Sequence, residues 1–343
     1  MIEYLPWSSK TLTDNLKRYA KGYFSCLDIE LGGECNYHCV YCDSPDRKKE
    51  CTLSIDGLGN LLSTGYFKWV YICGLGEPTY NKNQKMLIKL LRYCEKYNAQ
   101  CSIFSNLSQL TDELVYFIQV GVLHIFFKYD SFNSGITSAL YGIHNIRTQL
   151  NNVERIKKLV KVTDEMTNMA ASIVPTRLNR DYIVPIVKEC IDANIFPLLG
   201  ELESSGKGAT NYENLCLTKE ELCELKMEVE EELGESYKIP VCPSVIAGIH
   251  FSYDGNITVD RYTGLSCHWF WLKEPEVRCI AKFLPEMSVE EIEEKLLDYR
   301  DGCIGNVKKY LALDEQIGGA FGGCGGDVYQ IFQQYMKFHR GGV

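Results

Sequence analysis

The stretch Cys35-Asn36-Tyr37-His38-Cys39-Val40-Tyr41-Cys42 sets three thiols at spacings of four and three residues. Such a claw suits a soft metal or a metal–sulfur cluster. Four thiolates would close a tetrahedral site, whereas three leave one position where an exogenous ligand can bind. Open positions do chemistry. A structural zinc knuckle is the plainer reading, with His38 inside the loop offered as fourth ligand. Zinc sites, however, usually pair C-x2-4-C with a second pair at a distance, and no clean CxxC…CxxC arrangement occurs here.

Outward from the claw, the chain alternates strands and helices. Phe24–Leu31 alternates as a strand and Gly32-Gly33 break it, so the claw lies on the loop after the first strand. Cys26 in that strand reads as a small core residue. Leu53–Leu62 reads as a short helix, and Phe67–Cys73 as a strand rich in β-branched and aromatic residues. Gly74-Leu75-Gly76-Glu77-Pro78 follows, where glycines permit close backbone approach and Pro78 fixes the turn. The rhythm continues with helices over Gln84–Tyr97, Thr111–Gln119, Asn145–Val162 and Arg180–Asn194. Strands are expected at Gln100–Ser105, Val122–Lys128, Met169–Val174 and Ile195–Leu202. Six βα steps predict an α/β fold with a parallel sheet and right-handed crossovers, an open, partial (βα)6 TIM-type barrel. In such barrels chemistry gathers at the C-terminal strand ends. Those ends are Ser105-Asn106, Lys128 to Ser131, and Ser172 to Thr176. Gly200–Gly208 reads as a Gly/Ser-rich loop at the mouth, in which Glu201 and Glu203 are either substrate contacts or solvated acids. Thr218–Gly234 is an acidic amphipathic helix that marks a boundary, with Cys216 and Cys223 as structural thiols.

At 343 residues the chain can hold one large α/β domain and a smaller one. We divide it into an N-terminal extension (1–23), the barrel (24–235) and a small C-terminal α+β domain (236–343). A net charge of −9, from 36 basic and 45 acidic residues, argues against a broad footprint on nucleic acid or anionic lipid. No long apolar run appears, and MIEYLPWSSK lacks the basic flank and apolar core of a signal peptide, so a cytoplasmic protein is expected. Sixteen cysteines in such a chain fit reduced thiols and iron–sulfur clusters better than a disulfide scaffold, and oxygen sensitivity follows.

C-x3-C-x2-C with Tyr41 just before the last cysteine, followed after the second strand by G-x-G-E-P, resembles the radical S-adenosylmethionine (SAM) superfamily. The resemblance implies a [4Fe–4S] cluster on Cys35, Cys39 and Cys42, with the fourth iron free to chelate SAM and Tyr41 beside it. It assigns the amino group of the SAM methionine to Gly76 and Glu77, with Gly74 supporting; Leu75 stands where many members carry another glycine. Family members also place polar SAM contacts at strand ends, which implicates Asn106, Asp130 and Ser172, each equally open to a loop-capping role. Electron transfer into the sulfonium, from an external reductant such as flavodoxin or ferredoxin, would give methionine and a 5′-deoxyadenosyl radical that abstracts hydrogen from an unactivated carbon. That chemistry needs no titratable nucleophile, and no catalytic side chain is assigned.

A second cysteine set follows Ile239-Pro240. Cys242, a β-like run Ala247–Tyr253, the turn Asp254-Gly255-Asn256, the strand Ile257–Val259 and then Cys267 resemble the start of the auxiliary-cluster domains called SPASM and twitch. Ser288 begins a helix with a capping-type serine that runs toward Cys303, and Gly322-Gly323-Cys324-Gly325-Gly326 sets a thiolate among glycines. The resemblance implies one auxiliary [4Fe–4S] cluster on Cys242, Cys267, Cys303 and Cys324. Cys279, in a strand Val277–Phe283, is the reserve, and a buried structural cysteine is the alternative for each. The tail lacks the tight CxxC pair and the fuller cysteine set of a SPASM domain, which favours a twitch-like single cluster. Oxidation or cross-linking of a peptide or small polar metabolite ranks first and epimerisation with a cysteine hydrogen donor second. From another class, a non-catalytic electron-transfer or sensor protein is opposed by the G-x-G-E-P loop. Only 34 residues precede Cys35, too few for a separate peptide-recognition domain, so such a module would be another protein.

Overall fold

The computed structural model describes residues 2–19, 24–42, 50–72, 74–200, 202, 204, 206–237, 242–260, 266 and 277–299. Its strands are β1 (Glu3–Tyr4), β2 (Cys26–Ile29), β3 (Trp69–Ile72), β4 (Gln100–Ser105), β5 (Leu123–Lys128), β6 (Val162–Thr163), β7 (Met166–Thr167), β8 (Met169–Ile173), β9 (Phe196–Leu199), β10 (Gly248–Phe251), β11 (Asn256–Asp260) and β12 (Val277–Lys282). The large sheet runs β12-β11-β10-β2-β3-β4-β5-β8-β9. From β2 to β9 every neighbour is parallel and follows in chain order, as six βα steps require. The barrel stays open because β10, not β9, takes the free edge of β2, pairing parallel from Gly248↔Cys26 to Phe251↔Ile29. The Asp254-Gly255 turn, with Gly255 at φ 76, then returns the chain as antiparallel β11, and β12 adds to it. The hairpin beyond residue 236 therefore continues the barrel sheet.

Side chains alternate across a strand, so register pairs share a face. One face carries the apolar row Ile29, Ile72, Ile103, Ile125 and Met169. Leucines from helices Ile55–Ser63 and Asn81–Lys96 join the same core, among them Leu58, Leu62, Leu87 and Leu91. The other face carries Asp28, Tyr71, Ser102 and His124 in register and looks into the barrel. Within the stretch read as an extension, Tyr4 to Trp7 fill part of that interior. Tyr4 and Trp7 set their rings 4.1 and 4.6 Å from Phe126, Tyr4 Oη lies 2.9 Å from Ser102 Oγ, and the Tyr71 hydroxyl donates to Pro6 O at 2.9 Å. β1 is then held by parallel pairing with β7.

Two further departures from the sequence reading concern helices. Gly206–Leu215 is helical, so the stretch read as a Gly/Ser-rich loop to Gly208 gives way to a helix at Gly206. Ser134–Tyr141 is an unforeseen helix, capped by Asn133 and ended by Gly142 at φ 61. The acidic helix Lys219–Leu233 has the capping box its sequence announces, Thr218 with Glu221, and Gly234 at φ 69 closes it. Ser288 and Glu291 cap the helix over 289–299 in the same reciprocal way. No helix among the described residues is long and apolar enough to cross a membrane.

His124 lies in the interior, 2 % exposed, with Nε2 3.0 Å from Gln100 Oε1, and burial pushes its pKa down to about 3. The folded state keeps this ring neutral, while the unfolded chain binds a proton near the ordinary value of about 6.5. Stability contributed here is present above that value and is lost as pH falls toward the folded value, by about 1.4 kcal/mol per unit. Between pH 6.5 and 5, urea unfolding of His124→Gln should show a loss about 2 kcal/mol smaller than wild type. Equal losses would place the acid sensitivity elsewhere.

Candidate SAM and cluster site

The claw follows β2 and is held by two helices that the sequence reading did not foresee. His38 N donates to Tyr141 O at 3.0 Å and Val40 N to Leu140 O at 2.9 Å. Asn211 Nδ2 donates to Val40 O at 2.7 Å, and Lys207 N to Cys42 O at 2.8 Å. A Cβ on Gly142 would lie 2.4 Å from His38 O, so only glycine lets the helix end meet the claw. Tyr37 stacks on Tyr141 with centroids 5.6 Å apart. The one available signal was Gly142 itself, a glycine stopping an otherwise unremarked apolar segment.

Cys35 is exposed, and Cys39 and Cys42 are half-buried. Burial pushes the Cys39 thiol up to about 12, with Lys128 pulling it back and Cys42 and Cys35 adding repulsion. Tyr37 N donates to Cys35 Sγ at 3.4 Å, and Asn106 Nδ2 points at the same sulfur from 4.0 Å. Among the described residues no three or more His, Cys, Asp or Glu side chains are arranged to hold a single metal ion. A cubic cluster places each ligand sulfur on a different iron, which spreads the sulfurs wider than one ion does. Three mutually repelling sulfurs, two N–H groups aimed at one of them and a cation nearby fit such a group.

The G-x-G-E-P loop docks directly on the claw's base. Gly76 has φ 66, and a Cβ there would lie 2.5 Å from both Gly32 O and Glu34 O. Glu77 N donates to Glu34 O at 2.7 Å, and Asn83 Nδ2 reaches Gly32 O, Glu34 O and Glu77 O at 2.7, 3.2 and 3.1 Å. Asn83 was not singled out from the sequence; a polar residue in the first turn of a helix carries no distinguishing mark. The Glu77 carboxylate is buried and accepts from Thr79 N and Oγ1 at 3.1 and 2.7 Å, Ser105 Oγ at 2.7 Å and Asn106 N at 2.6 Å. Asn106 thus links the end of β4 to both loops, since its amide also donates to Asn36 Oδ1 at 3.1 Å. Gly74 is half-buried with φ 95.

Gly76→Ala therefore meets backbone on two sides in a conformation that already disfavours a side chain. We expect it to lose about 2 kcal/mol in urea unfolding. Gly65→Ala, at φ 73 with nothing within 4 Å, should lose only about 1 kcal/mol. Equal losses would mean that the close approach at Gly76 does not matter.

Beyond the end of β5, the Tyr41 hydroxyl donates to Asp130 Oδ2, and Val174 N donates to Asp130 Oδ1 at 2.6 Å. Asp130 is fully buried and its backbone carbonyl takes Asn179 Nδ2 at 2.8 Å. Lys128 and Ser172 are register partners on adjacent strands, on the interior face. Of the second cysteine set, Cys242 is buried with Sγ 3.0 Å from Ser244 Oγ, which donates to Asp28 Oδ2 at 3.3 Å. Cys279 is exposed on β12, the strand expected for it. Cys267, Cys303 and Cys324, like Glu201 and Glu203, lie outside the described residues.

Residues 29–170 match the sequence profile of the Radical SAM superfamily. That span runs from the end of β2 into β8 and contains both the claw and the loop docked on it. The chain carries a radical SAM domain. No curated protein sequence matches it. Among solved structures, the radical SAM domain and its continuation are similar to SuiB of Streptococcus suis bound to S-adenosylmethionine, with 16% identity over 87% of this chain and 72% of that one and a TM-score of 0.58. SuiB bound to the precursor peptide SuiA gives 16%, 87%, 70% and 0.53. Native anSMEcpe with bound AdoMet and Cp18Cys peptide gives 13%, 91%, 96% and 0.57. At these identities the likeness shows the fold alone.

Proposed function

We propose that this chain is a radical SAM enzyme that acts on a peptide or a small polar metabolite by hydrogen abstraction, with net oxidation or cross-linking as the outcome. The observation that carries the reading is the docking of Gly76-Glu77 on Glu34, with Asn106 bridging from Glu77 to Cys35, which unites claw and loop as one site. Cys35, Cys39 and Cys42 would hold a [4Fe–4S] cluster, and Tyr37 N and the Asn106 amide would steady one sulfur. When bound, the cluster supplies the electron that cleaves SAM and releases a hydrogen-abstracting 5′-deoxyadenosyl radical. Gly74 and Gly76 leave backbone bare of side chains where the methionine amino group would sit. Glu77 fixes that backbone through its own hydrogen bonds. Asp130 keeps Tyr41 against the claw, and Ser172, half-buried on the interior face, is free to face the nucleoside. The interior lined by Tyr71, Phe104 and Phe126 and plugged by Tyr4 and Trp7 would exclude water below the reacting centre.

For the tail we propose a twitch-like auxiliary [4Fe–4S] cluster on Cys242, Cys267, Cys303 and Cys324, a sink for the substrate electron. The hairpin β10/β11 brings Cys242 to the barrel sheet, which supports the placement. The first electron would come from a flavodoxin or ferredoxin. That two proteins of this fold were solved with peptides bound supports a peptide substrate. Anaerobic incubation of the reconstituted protein with SAM and dithionite tests the reading. 5′-Deoxyadenosine above a cluster-free control is expected, and none would favour a non-catalytic iron–sulfur protein.

A further inference from the structure

Lys128 ends β5 on the interior face and stands closer to the claw than its place in the sequence suggests. Its Nζ lies 4.6 Å from the centroid of the Tyr41 ring and 4.0 Å from Asp130 Oδ2, the oxygen that also accepts the Tyr41 hydroxyl. Tyr41 sits between Cys39 and Cys42 in the sequence, and Cys39 packs against the same small apolar cluster as the Tyr41 ring. The Lys128 side chain is 23% exposed and that of Asp130 0%, so water screens this group of charges weakly. Two buried carboxylates stand at the claw: Glu77, tied through Asn106 to Cys35, and Asp130, which accepts the Tyr41 hydroxyl. Gln149 Nε2 donates to Lys128 O at 2.7 Å, which anchors the backbone from which the ammonium projects.

We propose that Lys128 is a positioning residue that makes the claw's cluster easier to reduce, by fixing a positive charge against Tyr41 inside the claw. The proposal rests on the cluster assignment above. One electron, from a low-potential flavodoxin, ferredoxin or dithionite, is added to a site already surrounded by thiolates and carboxylates. A fixed cation beside the claw stabilises the more negative state. Tyr41, pinned between Lys128 and Asp130, ties that cation to the claw. Removing the charge while keeping the side chain's length should leave assembly intact and make reduction harder.

The test is an EPR-monitored redox titration of the anaerobically reconstituted full chain, without SAM, read on the signal that Cys39→Ala abolishes. Wild type is compared with Lys128→Met and Lys128→Arg, with iron counted in each. Lys128→Met should take up wild-type iron and disfavour reduction at least about tenfold, a potential lower by about 59 mV for one electron. Lys128→Arg, which keeps the charge, should stay within about threefold, or about 28 mV. A Met variant with full iron and an unchanged potential overturns the proposal. So does an equal shift in Met and Arg, which would assign the effect to packing, and so does an unchanged potential with weakened SAM binding, which would assign Lys128 to SAM. If Lys128→Met fails to assemble, Lys128→Gln is taken through the same titration. A wild-type chain that takes up no iron at the claw overturns the cluster assignment itself, a result distinct from all of these.

Discussion

Cys39→Ala should strip the claw of its iron and bring 5′-deoxyadenosine down to the level of cluster-free protein. Two sulfurs cannot hold a cube whose remaining corner must stay open for SAM, so the loss should be all or none rather than graded. Cys39 is the informative choice because it sits between the other two in sequence and touches the core formed by Tyr37, Tyr41 and Tyr141. The substitution removes a half-buried thiol without disturbing the backbone bonds from His38 and Val40 to the neighbouring helix. Apo-protein stability should therefore move by only about 1 kcal/mol. Cys94→Ala is the control: that thiol is buried in the helix Asn81–Lys96 and should keep all the iron at a packing cost of about 1 kcal/mol. Iron lost equally from both variants would point to general unfolding and away from ligation.

Glu77→Ala should be the most damaging substitution outside the cysteines. It leaves Asn106 N–H, Thr79 N–H and the Ser105 hydroxyl without the acceptor they share in a buried site. Each orphaned group costs about 1–3 kcal/mol, and with partial relaxation we expect about 3–5 kcal/mol in urea unfolding, with loss of SAM binding in equilibrium dialysis. Glu77→Gln should recover part of the stability, since its carbonyl oxygen still accepts, but its amide would face donors. The titration gives an independent check. Burial raises the Glu77 carboxyl, and hydrogen bonds from Asn106, Ser105 and Thr79 pull it back only in part. The folded state thus keeps this proton to a higher pH than the unfolded chain does. Its contribution is fully present below the unfolded pKa and is lost as pH rises through the raised folded value. Wild type should lose stability relative to Glu77→Gln across that window, and parallel pH profiles would contradict the burial argument.

The barrel was legible in the sequence because each of its strands carries a pattern that only one arrangement satisfies. Trp69–Ile72 and Leu123–Lys128 are near-continuous apolar runs bounded by glycine or polar turns, as strands covered on both faces must be. The claw and the G-x-G-E-P loop were legible as chemistry, and their docking follows once both are placed at the ends of adjacent strands. Local patterns hid the supports. Ser134–Tyr141 is short and lacks acidic residues in its first turn, so it carries little helical signal of its own; packing against the claw makes it a helix. The N-terminal segment looked like a tail because two-residue β1 has no periodicity to read, and its role appears only when Tyr4 meets Ser102, 98 residues later. Asp130 and Asn106 were both balanced between binding and capping from sequence. In the fold each uses one group to brace the claw, Asp130 through Tyr41 and Asn106 through Asn36 and Cys35.

The open iron is tested most directly by adding SAM to the dithionite-reduced, anaerobically reconstituted chain and recording the EPR spectrum of the claw's cluster before and after. The account predicts that saturating SAM changes the g-values in wild type and leaves them unchanged in a Gly76→Ala chain that still holds iron. A wild-type spectrum indifferent to SAM would contradict it, because the fourth corner would then be closed or out of the nucleotide's reach.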